Sequence, residues 1–211
     1  MKVGKLLAGL AVAAVVGGAA WAGVNALNSN DELNATKVSN NTQLQGKPAT
    51  TSTVNFKLEP SNETLAKCMP HVKVYISVQL RTDATGRDIF KADISGGPKN
   101  TSFTIFLLER PDKGFGAAEY IGDLNTDKYG RGHVELRLIV EEAFSSTLVN
   151  EGTTNEKRIR KELNHVGMWF ADPKDDDFCL GANSPVTPFD GDNEAGVQAF
   201  NSAKLKAAPL P

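Results

Sequence analysis

The sequence has few of the residues from which active sites and metal centres are usually built. Its 211 residues include two cysteines and three histidines, and aromatic residues make up 7% of the chain. Two cysteines are too few for a disulfide-dense scaffold or a four-cysteine zinc site. The sequence also lacks a GxSxG nucleophile elbow, a P-loop and a dinucleotide-binding glycine fingerprint. These absences predict no catalytic residue, and the protein is more readily explained without an enzymatic activity.

The chain also lacks a strong charge of either sign. Its formal net charge is −2 at pH 7, with 23 basic and 25 acidic residues. A nucleic-acid-binding domain needs a concentrated basic face, and this composition does not provide one. We therefore expect no nucleic-acid partner.

The N-terminus has the pattern of a segment that directs export. Lys2 and Lys5 precede an apolar run that begins at Leu6. Ala20-Trp21-Ala22 fits a small-x-small cleavage site, so residues 1–22 are predicted to be a signal peptide cut between Ala22 and Gly23. The alternative is a retained membrane anchor over residues 6–27, which would be the chain's only contact with the membrane. Both alternatives place the rest of the chain outside the cytoplasm, either secreted or anchored at the cell surface.

Residues 23–53 are predicted to be a disordered linker. The stretch is polar and rich in asparagine and threonine, with no sustained hydrophobic period. Such a composition buries too little apolar surface to offset the loss of chain entropy on folding.

Strict alternation of apolar and polar residues begins after the linker. In the stretch 72–81, Val72, Val74, Ile76, Val78 and Leu80 share one side, which is the period of a half-buried β-strand. Ser102 to Glu109 is apolar on both sides, as in a central strand. Further strands are predicted at 54–58, 90–94, 119–124, 134–140 and 163–171.

About seven strands separated by turn signals predict an all-β fold. We assign residues 54–203 to an immunoglobulin-like antiparallel β-sandwich with an acidic C-terminal extension. A small Greek-key barrel fits the same pattern and stays an alternative. Residues 141–155 are ambiguous, 156–162 fit a short helix, and Asp192 fits the N-cap of another helix that runs through Phe200. The tail 204–211 is predicted to be flexible.

Cys68 and Cys179 are predicted to form a disulfide bond. An oxidising compartment outside the cytoplasm favours such a bond. Cys68 precedes the main strand and Cys179 follows the last one, so the bond would tie the acidic segment to the sandwich. Two buried free thiols are the alternative.

The acidic segment 172–194 is the best candidate for chemistry. Carboxylates at this density repel one another unless a cation neutralises them, and calcium suits oxygen-rich loops outside cells. The spacing does not match an EF-hand, and solvated turns with helix capping explain the same residues without a metal. The candidate calcium ligands are Asp172, Asp175, Asp176, Asp177, Asp190, Asp192 and Glu194.

These features predict an exported or cell-surface binding or structural module that is not an enzyme and whose envelope or extracellular ligand is unknown. A binding role predicts an exposed aromatic or apolar patch on a sheet face or loop end. One alternative is a calcium-dependent glycan-binding or adhesion domain. Another is a secreted polysaccharide hydrolase that uses carboxylates of the acidic segment, one of them buried with a raised pKa.

Overall fold

Antiparallel β-strands make up most of the protein in the computed structural model, which describes residues 51–112, 114–188 and 194–211. Three short α-helices and one 3-10 helix connect them. The strands in this part of the chain are β1 (Ser52–Pro60), β2 (Lys73–Leu80), β3 (Asp88–Ser95), β4 (Ser102–Leu108), β5 (Ala118–Asn125), β6 (Gly132–Leu138), β7 (Phe144–Val149), β8 (Lys157–Glu162), β9 (His165–Phe170) and β10 (Gln198–Asn201). The helices are α1 (Glu63–Cys68), α2 (Thr82–Thr85) and α3 (Asp177–Leu180), and the 3-10 helix spans Pro173–Asp176.

Eight of the strands form one sheet in the order β5-β4-β9-β10-β1-β2-β3-β6, and β7 and β8 form a separate hairpin. We call β1, β2, β3 and β6 the β2 half, and β5, β4, β9 and β10 the β4 half. The two halves are joined at a short seam, where Glu59 lies opposite Asn201 and Pro60 opposite Phe200. The outermost strands of this order, β5 and β6, also lie close together: a Cβ atom on Gly122 of β5 would lie 3.0 Å from the side chain of Leu136 in β6. The sheet therefore curls until its two ends approach each other.

The main core lies between the two halves. Val74, Ile76 and Phe90 of the β2 half belong to the same buried cluster as Phe103 and Phe170 of the β4 half. This architecture confirms the predicted all-β fold and supports a sandwich or barrel-like class in general. It does not specifically support the immunoglobulin-like arrangement.

The outer face of the β2 half is polar, as the alternation in β2 predicts. Lys57, Tyr75, Asp93 and His133 form a row across β1, β2, β3 and β6. His133 Nδ1 lies 2.7 Å from Asp93 Oδ1, and the Lys57 ammonium lies 5.1 Å from the centre of the Tyr75 ring. Long polar side chains thus cover this face without a second layer.

Three of the observed strands lie where the sequence pattern is ambiguous or favours helix. The ambiguous stretch contains β7, and the residues expected to form a short helix at 156–162 form β8 instead, because they pair with β7. Gln198–Asn201 form β10 where a helix running through Phe200 is expected, because they pair with β9 and bury Ala199 and Phe200, while the expected N-cap Asp192 lies outside the described residues. In each case pairing with another strand, and not the local sequence pattern, decides the secondary structure.

The ends of the predicted domain can be compared only in part. The signal peptide or anchor, the cleavage site at Ala22 and Gly23, and most of the linker lie outside the described residues. β1 begins at Ser52, two residues before the expected strand at Val54. In the tail, Leu210 is buried and its amide donates to the carbonyl of Asn164. Within the described part of the chain, no helix is long and apolar enough to cross a membrane.

Candidate binding site

The outer face of the β4 half is apolar, in contrast to that of the β2 half. Because side chains alternate along a strand, Phe106 and Leu108 point away from the main core to which Phe103, Ile105 and Leu107 contribute. The residues that form this second buried cluster, with Phe115 packed against it, are Phe106, Leu108, Trp169 and Ala195. A central strand that is apolar on both sides therefore needs a covering layer on each side.

Aromatic rings meet edge to face in this outer cluster. The centre of the Trp169 ring lies 5.2 Å from that of Phe106 and 5.3 Å from that of Phe115, with interplanar angles of 73° and 82°. Phe106 in turn lies 5.8 Å from Tyr120. These are favoured geometries for aromatic pairs. Gly167 makes room for the indole, since a Cβ atom there would lie 2.7 Å from the Trp169 ring.

Two adjoining cavities open beside these rings, and we call them together the Trp169 groove. The first has a volume of about 340 Å³, and its lining residues are Phe106, Phe115, Ala118, Tyr120, Trp169, Thr187 and Pro188. The second, of about 570 Å³, shares Phe115, Trp169 and Thr187 with the first. It extends toward Asn62, Asp112 and Asn201. Both volumes fall in the usual range for small-molecule sites.

The polar end of the groove is organised by Gln198. Its Nε2 donates to the carbonyl of Pro111 at 3.3 Å, and its Oε1 accepts from Asn201 Nδ2 at 2.9 Å. The hydroxyl of Ser61 donates to its main-chain carbonyl. Asp112 is the only charged side chain among the described lining residues of the two cavities. The groove is thus apolar at one end and offers hydrogen-bonding groups at the other.

A buried carboxylate holds one wall of the groove in place. Asp176 is fully buried and accepts hydrogen bonds from the Ser184 hydroxyl and, at 2.9 Å, from the amide of Val197. Between these two contacts, Thr187 and Ala195 exchange main-chain hydrogen bonds of 2.8 and 2.9 Å. Asp176 therefore fixes the segment that carries Thr187 and Pro188, although it does not line the groove.

The predicted disulfide bond is confirmed. Cys68 and Cys179 are bonded, with their Cα atoms 5.7 Å apart and 111 residues between them in the chain. The bond joins the end of α1 to α3. It ties the acidic segment to the sheet, as the sequence positions predict.

Of the remaining candidate calcium ligands, those that the structure describes lie in different local environments. The carboxylate of Asp172 accepts from the amide of Lys174 at 2.8 Å and caps the 3-10 helix. Asp177 begins α3, and Glu194 is exposed. The residues that the structure describes contain no group of three or more metal-ligating side chains, while Asp190 and Asp192 lie outside them. Calcium binding by this segment stays a prediction.

Asp175 shows one sign expected of an acid catalyst. Burial raises the pKa of its carboxyl, and the nearby carboxylates of Asp172 and Asp176 raise it further, against the lowering effect of a hydrogen bond from the Ser102 amide. Asp175 does not line either cavity of the Trp169 groove. Asp175 thus has the raised pKa of an acid catalyst, but neither cavity of the groove places a substrate beside it.

Asp88 is a second buried carboxylate, and no local motif predicts its role. Burial by itself raises its pKa, but hydrogen bonds from the amides of Arg81, Glu141 and Val140 and from the Thr82 hydroxyl together lower it below its ordinary value. The amides of Val140 and Glu141 each donate at 2.8 Å. Asp88 thus ties the end of β2 to the end of β6 within the β2 half.

Sequence patterns gave only an indirect signal for the groove. The two-sided apolar run at 102–109 predicts a covering layer, but not which residues provide it. Phe115 and Thr187 reach the groove from loops far apart in the sequence. A scan against protein-family models and a search of curated proteins found no match to this chain, so its function is argued from the site alone.

Proposed function

We propose that this protein is an exported or cell-surface binding module, not an enzyme, and that the Trp169 groove takes up an apolar group of its ligand. The observation that carries the proposal is the cavity of about 340 Å³ walled by four aromatic side chains on the outer face of the β4 half. A binding role predicts an exposed apolar patch, and the groove supports it through Tyr120, which is 42% exposed, although Phe106 and Trp169 are buried. The adjoining polar end offers groups that would orient the ligand.

The chemistry of the groove supports binding over catalysis. Its described lining residues include one carboxylate, Asp112, and no histidine, cysteine or lysine. Hydrolysis of a glycosidic bond ordinarily needs two carboxyl groups on either side of the bond. The polysaccharide hydrolase remains an alternative, supported by the raised pKa of Asp175. Calcium-dependent glycan binding or adhesion remains another, through the carboxylates of the acidic segment 172–194.

The disulfide bond supports a location outside the cytoplasm, where such bonds persist. Within the all-β class, we keep the immunoglobulin-like arrangement as a hypothesis. The partner is then a component of the envelope or the extracellular space that presents an aromatic or short aliphatic group.

Titration with the apolar fluorescent probe anilinonaphthalene sulfonate tests the proposed groove. We expect saturable binding to the native protein and a loss of at least about tenfold in affinity for Ala118→Trp, which fills the first cavity from the edge strand. The probe reports accessible apolar surface, so the measurement is made well below the unfolding temperature.

Tyr75→Trp is the matched control, because it enlarges an exposed aromatic residue on the polar outer face of the β2 half. It should leave probe affinity unchanged. Equal binding by the wild type and Ala118→Trp would contradict the groove as the site. Mass spectrometry of an organic extract from each purified protein then shows whether an apolar ligand accompanies the wild type and not Ala118→Trp.

A further inference from the structure

The β7–β8 hairpin stands apart from the eight-stranded sheet. Among the described residues, its two strands pair only with each other. At its base the amide of Leu163 donates to the carbonyl of Ala143, and the Lys161 ammonium lies 2.9 Å from Glu109 Oε1. An isolated two-stranded hairpin is marginally stable in water, and a third strand stabilises it.

The hydrogen bond at the base shows which groups of β7 face outward. Ala143 lies directly opposite Leu163 in the register of the hairpin, so these two residues form a hydrogen-bonded pair. Hydrogen-bonded and non-hydrogen-bonded pairs alternate along an antiparallel ladder. The main-chain N–H and C=O groups of Phe144, Ser146 and Leu148 therefore point away from β8, toward a free edge.

The two edges of the hairpin differ in charge. β8 carries four basic residues and a glutamate, and charged side chains on an edge strand discourage the addition of another strand. β7 has the sequence FSSTLV, with no charge, proline or glycine. Its solvent-facing side presents Phe144, which is 49% exposed. Another strand could therefore pair with the outer edge of β7, while the charged side chains of β8 disfavour such pairing at its own edge.

We propose that β7 pairs antiparallel with β7 of a second copy of this chain, which gives a four-stranded β8-β7-β7-β8 sheet across a two-fold axis. The outward-facing residues set the register: Ser146 lies opposite Ser146 of the second copy, and Phe144 lies opposite Leu148. Each interface then contains two aromatic–aliphatic cross-strand pairs, which stabilise a sheet. Because β7 has no charged residue, no like charges meet between the two β7 strands.

A second copy fits this edge because the pairing is self-complementary, as a two-fold interface requires. The same operation on the edge of β8 would bring Arg160 opposite Arg160 at the axis, a like-charge contact that destabilises a sheet, with Arg158 opposite Glu162 on either side. The Arg160 guanidinium instead lies 3.9 Å from the centre of the Phe144 ring within one hairpin and pairs with Glu162 at 2.6 Å. Arg160 thus makes both of these contacts within its own hairpin.

Sedimentation velocity of the exported protein over a range of concentrations tests the proposal. We expect a reversible monomer–dimer equilibrium that Ser146→Pro weakens by at least about tenfold, because proline removes an outward N–H while leaving the β7–β8 ladder intact. Arg158→Pro, which alters an outward N–H of β8, is the matched control and should leave dimerisation unchanged.

A charge exchange at the axis keeps the test independent of hairpin folding. Ser146→Lys and Ser146→Asp should each be monomeric alone, because like charges would face each other, and an equimolar mixture should form a heterodimer. A wild type that stays monomeric at all concentrations would overturn the proposal. So would a dimer that persists in Ser146→Lys, or a mixture that fails to associate.

Discussion

The two outer faces of the sheet show how the same strand geometry leads to two kinds of surface. The β2 half alternates cleanly and exposes rows such as Tyr75, Asp93 and His133. The β4 half carries apolar side chains on both faces, and the loops that carry Phe115 and Ala195 pack on its outer side. The described residues of this covering layer leave the space that we call the Trp169 groove. A cavity can thus arise where the second side of a sheet is covered by loops and not by another sheet.

Among the variants that test this difference between the two faces, Trp169→Ala should change the free energy of unfolding most. Trp169 is 4% exposed and contacts both Phe106 and Phe115, so Trp169→Ala should lower the free energy of unfolding by about 3–5 kcal/mol. Tyr75→Ala on the opposite outer face should lower it by about 0.5 kcal/mol or less. Urea denaturation of both variants measures the difference. Similar small losses would mean that the outer cluster of the β4 half contributes little to stability.

Removal of the disulfide bond should have the next largest effect. The variant with both Cys68→Ala and Cys179→Ala should be about 2–4 kcal/mol less stable than the oxidised protein, since the bond restricts a long loop in the unfolded chain. Because α3 leads into the segment that walls the groove, probe binding should also weaken. Urea denaturation and the fluorescent probe measure the two effects. Unchanged probe affinity in the folded variant would show that the contacts of Asp176 and the hydrogen bonds between Thr187 and Ala195 hold the wall without the disulfide bond.

Buried Asp88 and partly buried Asp175 should respond to pH in opposite directions. Asp88 has a lowered pKa, so the stability that it contributes is present above the pKa of an unfolded aspartate and is lost as pH falls through its lower folded value. At pH 7, Asp88→Asn should cost about 1–3 kcal/mol, because an amide cannot satisfy the same donors. This cost should shrink as pH falls below about 4.

Asp175→Asn, in the 3-10 helix that follows β9, is the matched variant. The raised pKa of Asp175 penalises its ionised form, so stability is lost as pH rises through the folded value. The variant should be as stable as the wild type or more stable at neutral pH. Thermal unfolding of both variants from pH 3 to pH 8 tests the contrast. A pH-independent cost of Asp88→Asn would contradict the assigned role of its charge.

Calcium should have the smallest effect. Asp172 and Asp176 already accept hydrogen bonds from the chain, so addition of calcium or of excess chelator should change the melting temperature by less than about 1 °C. A ligand that binds only the native state raises stability by mass action, by about 2.7 kcal/mol at one hundred times its dissociation constant. A shift of several degrees would therefore contradict this expectation and favour a calcium-dependent adhesion role.

The periodicity of apolar residues predicts a strand correctly where the burial of that strand's own side chains decides its structure. The alternation at 72–81 predicted β2, and the two-sided apolar run predicted the central position of β4. The pattern failed for β8 and β10, because their conformation depends on partner strands and not on their own periodicity. The contacts of Asp176 with Ser184 and Val197 join distant positions, and no spacing rule reveals them. The disulfide bond could be predicted because only one pairing of two cysteines exists.

The short seam between β1 and β10 has a mechanical consequence. A pull between the N-terminal end of β1 and a ligand in the groove would load two residue pairs, Glu59 with Asn201 and Pro60 with Phe200. The disulfide bond between α1, which follows β1, and α3, which follows β9, runs parallel to that weak link. If the seam yields, the disulfide bond still joins the segments that follow β1 and β9, in addition to the main chain that runs between the two halves.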